Sequence, residues 1–325
     1  ALLGYGAWAL RAQALRPAAA PLRAGIVQAD IQHYAELATE LGTYGAVQHI
    51  LDVHFALSDE LLAAGPLDLL VWPETVYPTT FGAPKSPEGA GFDRDIGTFA
   101  SRRGVPLIFG AYDAEHGAEF NAAMFVGPGD GSEWRRAVYR KASLFPLTER
   151  VPAWLDTPAV RRRLPWLGTW QPGRSPRVVA QRLPGGRTLR VAPLICYDAV
   201  DPQLAIAAAR QGAEVIVTLS NDAWFATGEG PHLHLVVAAF RSIETRLPQL
   251  RATNTGISAV ISPTGEVLAA IGVDQRAALR AEVSPAPATP TLMLAWGDWF
   301  GRTALAGAAL LAAAHALARS VRRRR

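Results

Sequence analysis

The chain has 325 residues, half of them hydrophobic, which suits one large domain or two ordinary ones with a sizeable apolar core. There are 32 basic and 28 acidic residues, and the resulting net charge of +4 is too small to indicate a nucleic-acid-binding protein. A single cysteine excludes an intramolecular disulfide framework and argues against a cysteine-rich metal site.

The first segment, residues 1–23, begins with an apolar and aromatic run from Ala1 to Leu10. Such a run is typical of the last turns of a membrane helix, but it is too short to span a bilayer by itself. We therefore interpret residues 1–23 as the end of an upstream membrane segment followed by a linker. A disordered or surface-packed amphipathic start is the alternative.

Residues 24–284 alternate between strand and helix patterns, which is typical of a layered α/β domain with helices covering a mixed sheet. The predicted strands are 24–29, 67–72, 106–111, 121–126, 133–139, 178–182, 188–195, 215–220, 249–253, 257–261 and 267–271. The predicted helices are 36–62, 92–103, 202–211 and 232–247, and residues 147–171 form no regular element. On the last helix, apolar periodicity predicts that five side chains face the core: Leu233, Val236, Phe240, Ile243 and Leu247.

The last segment, residues 285–325, begins with a proline-rich linker and continues into an alanine- and leucine-rich run. Arginines follow this run at the C-terminus, as in a stop signal of cytoplasmic type. We predict a linker, a C-terminal transmembrane helix and a basic cytoplasmic tail, with the body of the protein outside the cytoplasm. An amphipathic or packed helix is the alternative.

Three chemically active residues follow three predicted strands: Glu74, Lys141 and Cys196. Because the carboxyl ends of strands form the ligand-binding crevice of an α/β sheet, these residues are expected to meet. A carboxylate can take the proton of a thiol, and an ammonium can stabilise both the thiolate and an oxyanion. A lone cysteine is more often a small buried hydrophobe, so the hypothesis of a nucleophile depends on all three residues.

The short sequence segments around these residues resemble motifs of the nitrilase, or carbon–nitrogen hydrolase, superfamily. The matching segments are 72–75 (WPET), 139–141 (YRK) and 195–198 (ICYD). This resemblance implies a nitrilase-like four-layer αββα sandwich over residues 24–284. It also implies that Glu74 is the general base, Lys141 the oxyanion stabiliser and Cys196 the nucleophile.

Within that superfamily, further segments are similar to the apolipoprotein N-acyltransferases. They are 221–225 (NDAWF), 230–232 (GPH), 240–244 (FRSIE) and 251–258 (RATNTGIS). The resemblance implies that Cys196 takes an acyl chain from a phospholipid as a thioester. The chain would then pass to the α-amine of the N-terminal diacylglyceryl-cysteine of an apolipoprotein. It implies a bacterial inner-membrane location with a periplasmic catalytic domain, and neither a cofactor nor a nucleic-acid partner.

The resemblance also suggests supporting residues. Glu149 matches a second glutamate that holds the lysine or the site geometry, and the Tyr197 backbone N–H is a candidate oxyanion donor. Asp198 stands where the family usually has glutamate, one methylene longer.

Substrate-binding candidates are Trp224 and Phe225, as walls of an apolar, water-poor pocket, and Asn254. A loop asparagine ordinarily bonds backbone groups, and that interpretation of Asn254 stays open. No metal is expected, because His232 and His234 diverge on a helix. Two alternative functions are a nitrilase-type amidase of small amides and a catalytically inactive, membrane-tethered binding module.

Overall fold

The structure is a computed structural model that describes residues 2–15, 20–32, 34–128, 134–174, 178–225 and 228–323. Its strands are β1 (Leu22–Gln28), β2 (Leu69–Val71), β3 (Tyr77–Thr80), β4 (Leu107–Glu115), β5 (Ala118–Pro128), β6 (Trp134–Arg140), β7 (Val179–Arg182), β8 (Thr188–Ile195), β9 (Val215–Ser220), β10 (Gln249–Thr253), β11 (Ser258–Ile261), β12 (Val267–Ile271) and β13 (Ala277–Val283). Its α-helices are α1 (Leu2–Ala14), α2 (Tyr34–Ala63), α3 (Pro87–Arg103), α4 (Pro158–Arg163), α5 (Pro202–Arg210), α6 (Glu229–Thr245), α7 (Leu292–Trp296) and α8 (Phe300–Arg323). Short 3-10 turns follow β7 and β8.

The strands form two mixed sheets. The first has the order β13-β1-β2-β4-β5-β6, with β3 also paired to β4, and the second has the order β12-β11-β10-β9-β8-β7. Neighbouring strands β1, β2 and β4 are parallel in the first sheet, as are β8, β9 and β10 in the second. Parallel strands end at the same edge, so β2 and β8 each deliver the residue that follows them to an edge of their sheet.

The two sheets pack face to face with helices outside them. Side chains from both sheets share one buried core, in which Val71 and Ile108 of the first sheet meet Val217 and Leu250 of the second. Outside the first sheet, α2 and α3 form a second core around Trp72. Outside the second sheet, α5 forms a third core. This confirms the predicted four-layer αββα sandwich, since each sheet buries one face on the other and one face under helices.

Along most of its length, helix α6 buries a different face from the one that the sequence predicts, whereas Leu247, just beyond its end, is buried as predicted and Ile243 is partly buried. Leu233, Val236 and Phe240, predicted to face the core, are 65%, 51% and 50% exposed. The buried face instead carries polar side chains, among them His234 and Arg241. The prediction was wrong because the layer beneath α6 contains buried polar groups that hydrogen bond, so apolar periodicity did not identify the inner face.

The C-terminal part is helical and packs against the second sheet's helices through α7. The Thr291 hydroxyl donates to the Glu244 carbonyl at 2.6 Å, and Arg210 donates to the Leu294 carbonyl at 2.7 Å. The predicted transmembrane helix in residues 285–325 is not found: no helix in the described ranges is long and apolar enough to cross a membrane. In α8, Arg302 and Arg319 bracket the apolar run and shorten it.

Candidate active site

Glu74 lies just beyond β2, on a turn that packs closely against β4. Gly110 of β4 makes this approach possible, because a Cβ there would lie 2.4 Å from the Thr75 nitrogen and 2.5 Å from the Glu74 Cα. The Gly110 N–H also donates to the Pro73 carbonyl at 2.9 Å. The Glu74 carboxylate is therefore held at the sheet edge by backbone contacts, and its Oε2 accepts from the Asn221 N–H at 2.9 Å.

Lys141 follows β6 and is almost completely buried between two carboxylates. Its Nζ donates to Glu74 Oε1 at 3.2 Å and to Glu149 Oε1 at 2.8 Å, and the lysine side chain is 2% exposed. The Asn121 amide donates to the same two oxygens, at 2.8 Å to Glu74 and 3.2 Å to Glu149. A buried ammonium needs such paired charges and hydrogen bonds to remain charged.

Cys196 directly follows β8 and adopts an unusual backbone conformation. Its φ is +47°, in the left-handed region that a non-glycine residue enters at a cost of about 1–3 kcal/mol. A 3-10 turn, residues 196–200, starts at this position. The strand therefore stops abruptly at the thiol, and the chain turns away from the site directly after it.

The charges around the thiol set its resting state. Burial raises the pKa of Cys196 to about 12, with Glu74 adding to the rise and Lys141 opposing it. Burial alone would lower the pKa of Lys141, but the negative charges of Glu74 and Glu149, and of the Cys196 thiolate once it forms, outweigh it and hold that pKa above its ordinary value. Near neutral pH the resting pair is therefore a thiol and an ammonium, and a thiol needs a base before it can act as a nucleophile.

Asp198 joins the ends of the two strands that carry Lys141 and Cys196. Its Oδ1 accepts from the Ala142 and Ser143 N–H groups at 3.1 and 2.7 Å. Its Oδ2 accepts from the Tyr139 hydroxyl at 2.9 Å and from the Ile195 N–H at 3.0 Å. Burial raises the pKa of this carboxyl to about 6, although the Ser143 N–H and the Lys141 charge both oppose the rise.

Two further predicted supporting residues lie beside this cluster. Glu149 holds Lys141 through Oε1 and accepts from the Phe145 N–H through Oε2 at 2.7 Å, so it orders the loop that follows the lysine. The Tyr197 ring packs edge-on against Phe145, with ring centroids 5.0 Å apart. A role of Glu149 and Tyr197 in supporting the candidate catalytic residues stays a prediction.

The predicted substrate-binding residues fall into two kinds. Trp224 is 73% exposed and Phe225 half-exposed, on the segment that follows Asn221. Asn254 instead donates to the Ile31 carbonyl at 2.6 Å and accepts from the Ile31 N–H at 3.0 Å. Its amide thus fastens two backbone segments, which favours the structural interpretation, while substrate binding by all three residues stays a prediction.

Sequence reasoning missed several polar residues near the site. Asn121, which bonds both carboxylates, opens a predicted strand and carries no distinguishing motif. A buried network of Ser220, Asp222, His234 and Arg251 lies behind Cys196. The segments carrying these residues were noticed only through family resemblance. Among the described residues, no group of three or more His, Cys, Asp or Glu is placed to hold a metal ion.

Comparison with known proteins places this geometry in a family. A model of the carbon–nitrogen hydrolase family matches residues 23–291. An apolipoprotein N-acyltransferase of Geobacter metallireducens is 32% identical over 267 residues, which cover 80% of this chain and 48% of that protein. One of Azotobacter vinelandii is 32% identical over 310 residues, which cover 93% and 54%. The chain spans about half the length of the curated relatives it matches.

Solved structures agree on the fold. An amidase from Nesterenkonia sp. superposes with a TM-score of 0.57 and 22% identity, covering 83% of this chain and 92% of the amidase. A carbon–nitrogen hydrolase from Helicobacter pylori gives a TM-score of 0.57 and 18% identity, covering 81% and 89%. At such identities the likeness concerns the fold alone. By the match over residues 23–291 and this shared fold, the chain belongs to the carbon–nitrogen hydrolase family.

Proposed function

We propose that this chain carries the catalytic domain of an N-acyltransferase that acts on apolipoproteins. The observation that carries the proposal is the convergence of buried Glu74, buried Lys141 and partly buried Cys196, where a carboxylate and an ammonium both act on the thiol. The similarity to proteins named apolipoprotein N-acyltransferase supports acyl transfer as the reaction.

In the first half-reaction, the Cys196 sulfur attacks the ester carbonyl carbon of a phospholipid while Glu74 takes the thiol proton. The Lys141 ammonium and the Tyr197 N–H stabilise the negative oxygen of the tetrahedral intermediate. When the intermediate collapses, the ester C–O bond breaks and Glu74 returns the proton to the departing oxygen. The products are a thioester on Cys196 and a lysophospholipid.

In the second half-reaction, the α-amine of a diacylglyceryl-cysteine attacks the thioester carbonyl. Glu74 takes a proton from the attacking nitrogen, the same two donors stabilise the oxyanion, and the C–S bond breaks. The sulfur of Cys196 leaves and recovers its proton from Glu74. The product is an amide, and both Cys196 and Glu74 regain their starting states without a cofactor.

The amine must react faster than water, so the thioester has to sit in an apolar environment. Trp224 and Phe225 supply exposed aromatic surface on the segment beyond Asn221, whose N–H binds Glu74. Leu233, Val236 and Phe240 add an exposed apolar face on α6. We assign these side chains to contact with lipid, because both substrates carry acyl chains.

This assignment implies a location. A phospholipid donor and a lipid-modified acceptor meet at a membrane, and we place the domain at the bacterial inner membrane on its periplasmic side. The names of the relatives support the membrane context.

Two-step labelling tests the proposal. The protein is incubated with vesicles containing a phospholipid with a radiolabelled acyl chain, then denatured and divided for treatment with hydroxylamine. We expect a labelled protein adduct that hydroxylamine releases, as a thioester requires. A chase with a diacylglyceryl-cysteine peptide should then move the label into a hydroxylamine-resistant peptide amide.

Two variants serve as controls. Cys196→Ala should give no adduct, whereas His232→Gln, an exposed change on α6, should label like the wild type. Release of the adduct only as free fatty acid in the presence of the peptide would contradict acyl transfer and favour a hydrolase. Wild-type protein indistinguishable from Cys196→Ala would contradict both enzymatic functions.

A further inference from the structure

A buried polar network lies directly behind the nucleophile and takes no part in the mechanism described above. Asp222 is two residues beyond β9, Arg251 is on β10, and His234 is on the inner face of α6. The Asp222 and Arg251 side chains are fully buried, with Arg251 Nη2 donating to Asp222 Oδ2 at 2.9 Å. Asp222 Oδ1 accepts from the Ser220 hydroxyl at 2.7 Å and lies 2.9 Å from His234 Nδ1.

The other nitrogen of the His234 ring reaches the backbone of the nucleophile. His234 Nε2 lies 3.3 Å from the carbonyl oxygen of Cys196. A carbonyl oxygen only accepts hydrogen bonds, so Nε2 carries the hydrogen and donates it. At the ring's other nitrogen, Nδ1 lies 2.9 Å from Asp222 Oδ1 and 3.2 Å from Arg251 Nη2, so the ring is held between this ion pair and the Cys196 carbonyl.

That carbonyl belongs to the same peptide unit as the Tyr197 N–H. The unit is planar and trans, so its C=O and N–H bonds point in opposite directions. A donor that fixes the oxygen on one side therefore fixes the N–H on the other. Cys196 itself has a φ of +47°, which is unfavourable for a residue other than glycine. Contacts from the surrounding structure are therefore needed to hold this peptide plane in place.

We propose that His234 is a positioning residue that aims the Tyr197 N–H at the oxyanion by holding the Cys196 carbonyl. Asp222 and Arg251 brace the imidazole from behind. The hydrogen bond to the carbonyl also polarises the peptide, which makes its N–H a stronger donor. The inference rests on the proposed function only in requiring attack of Cys196 on a carbonyl carbon.

The Asp222 carboxylate that contacts His234 is tightly packed against the backbone. Gly256 leaves room for the Asp222 carboxylate, because a Cβ there would lie 2.2 Å from Asp222 Oδ2. Burial alone would raise the pKa of Asp222, but the charge of Arg251 and the hydrogen bonds from His234 and Ser220 lower it to about 2. The carboxylate is therefore charged throughout the range in which a periplasmic enzyme works, and it can hold the ring in one orientation.

Two substitutions of His234 separate its two contacts. In His234→Gln the amide nitrogen sits near the former Nε2 and can still donate to the Cys196 carbonyl. In His234→Asn the shorter amide occupies the place of Nδ1 and can bond Asp222 but not the carbonyl. His232→Gln and His232→Asn, at an exposed position on the same helix, are the matched controls.

The experiment compares two reactions of the full chain with Cys196. Acylation by p-nitrophenyl butyrate passes through an oxyanion, whereas alkylation by iodoacetamide does not. We expect His234→Asn to slow acylation about 100-fold, the usual effect of losing one oxyanion donor, with KM unchanged. His234→Gln should slow acylation about 10-fold, and neither variant should change alkylation more than about 3-fold, since the thiol itself is intact. The His232 variants should match the wild type in both reactions.

Equal loss of acylation and alkylation in a His234 variant would overturn the proposal, because it would show a general structural role. Acylation at the wild-type rate in His234→Asn would overturn it as well. If that variant fails to fold, the same comparison in His234→Gln decides between these outcomes. The activated ester needs no lipid, so failure of the lipid-transfer function leaves this test standing.

Discussion

At the level of single residues, Glu74 has two effects on Cys196 that act in opposite directions. Its negative charge raises the pKa of the thiol and so keeps the nucleophile protonated at rest. The same carboxylate is the proposed base that removes the proton during attack. A neutral side chain at this position would make the free thiolate easier to form and acyl transfer harder.

Glu74→Gln tests this opposition. We expect the variant to react faster with iodoacetamide at a fixed pH near 8, because the pKa of Cys196 falls when the neighbouring charge is removed. Acylation by an ester should fall by about 10²–10⁴-fold, since the general base is lost. Rates of both reactions as a function of pH measure the two effects separately.

Glu149→Gln is the matched control for that prediction. Glu149 binds the same ammonium as Glu74, whereas Glu74 is the charge with the largest effect on the pKa of Cys196. Its removal should leave the alkylation rate near that of the wild type. A slower alkylation in Glu74→Gln than in Glu149→Gln would contradict the proposed role of the Glu74 charge.

The convergence of the three candidate residues was predictable from the sequence for a definite physical reason. Glu74, Lys141 and Cys196 each follow an apolar strand, and strand ends converge at a sheet edge. Asn121 and His234 bond these residues across 47 and 38 positions of the chain, and nothing in their local sequence announces those partners. Contacts of that kind depend on how the two sheets and α6 are stacked, which only the structure gives.

At the level of the element, α6 shows where pattern reasoning fails. Periodicity correctly predicts that the segment is a helix, but the apolar stripe was assigned to the core. The structure buries the other stripe, where His234 and Arg241 find charged and carbonyl partners. The exposed stripe of Leu233, Val236 and Phe240 is therefore available for contact outside the domain.

Replacing Phe240 by Gln tests the role of that stripe. Because the ring is half-exposed, we expect the free energy of unfolding to change by less than about 0.5 kcal/mol. Binding to phospholipid vesicles should weaken about 10-fold, because an aromatic side chain no longer leaves water. Sedimentation with vesicles and chemical denaturation measure the two quantities.

Ala238→Gln, on the buried side of the same helix, provides the contrast for the Phe240 prediction. It should destabilise the fold, since a longer polar side chain has to enter a filled layer. Unchanged vesicle binding in Phe240→Gln would exclude this stripe from the lipid contact.

At the level of the whole molecule, the candidate site joins the two sheets. Glu74 and Lys141 come from the first sheet, whereas Cys196 comes from the second. Asp198 connects them, because it binds Tyr139 of β6 as well as Ile195 of β8. The alignment of Glu74, the proposed base, with Cys196, the proposed nucleophile, therefore depends on the packing of one sheet against the other.

Asp198 also makes that packing depend on pH. Its pKa is about 6 in the fold against an ordinary 3.8, so between these values only the folded state keeps the proton. Its contribution to stability therefore falls as pH rises from about 4 to about 6, by about 3 kcal/mol for two pKa units. Asp198→Asn does not show this pH-dependent loss. The free energy of unfolding of the variant should therefore lie further below that of the wild type at pH 4 than at pH 7. Urea unfolding at both pH values measures it.

His54 provides a control of opposite sign for this pH effect. Burial lowers its pKa from 6.5 to about 4, so between these values only the unfolded state is protonated and stability is lost as pH falls. In His54→Leu, the free energy of unfolding should no longer fall as the pH drops from about 6.5 to about 4. In Asp198→Asn, it should no longer fall as the pH rises from about 4 to about 6. A deficit of Asp198→Asn that does not vary with pH would contradict the role given to this carboxyl.

The protonated state of the partly buried Cys196 has a consequence for chemical damage. Oxidants attack the thiolate rather than the thiol, and here the pKa of about 12 keeps the thiolate rare. The 325 residues contain no second cysteine that could condense with a sulfenic acid and restore the thiol. A cysteine kept in the thiol form at rest is thus protected from oxidants, and any sulfenic acid that does form needs a thiol from outside these 325 residues for repair.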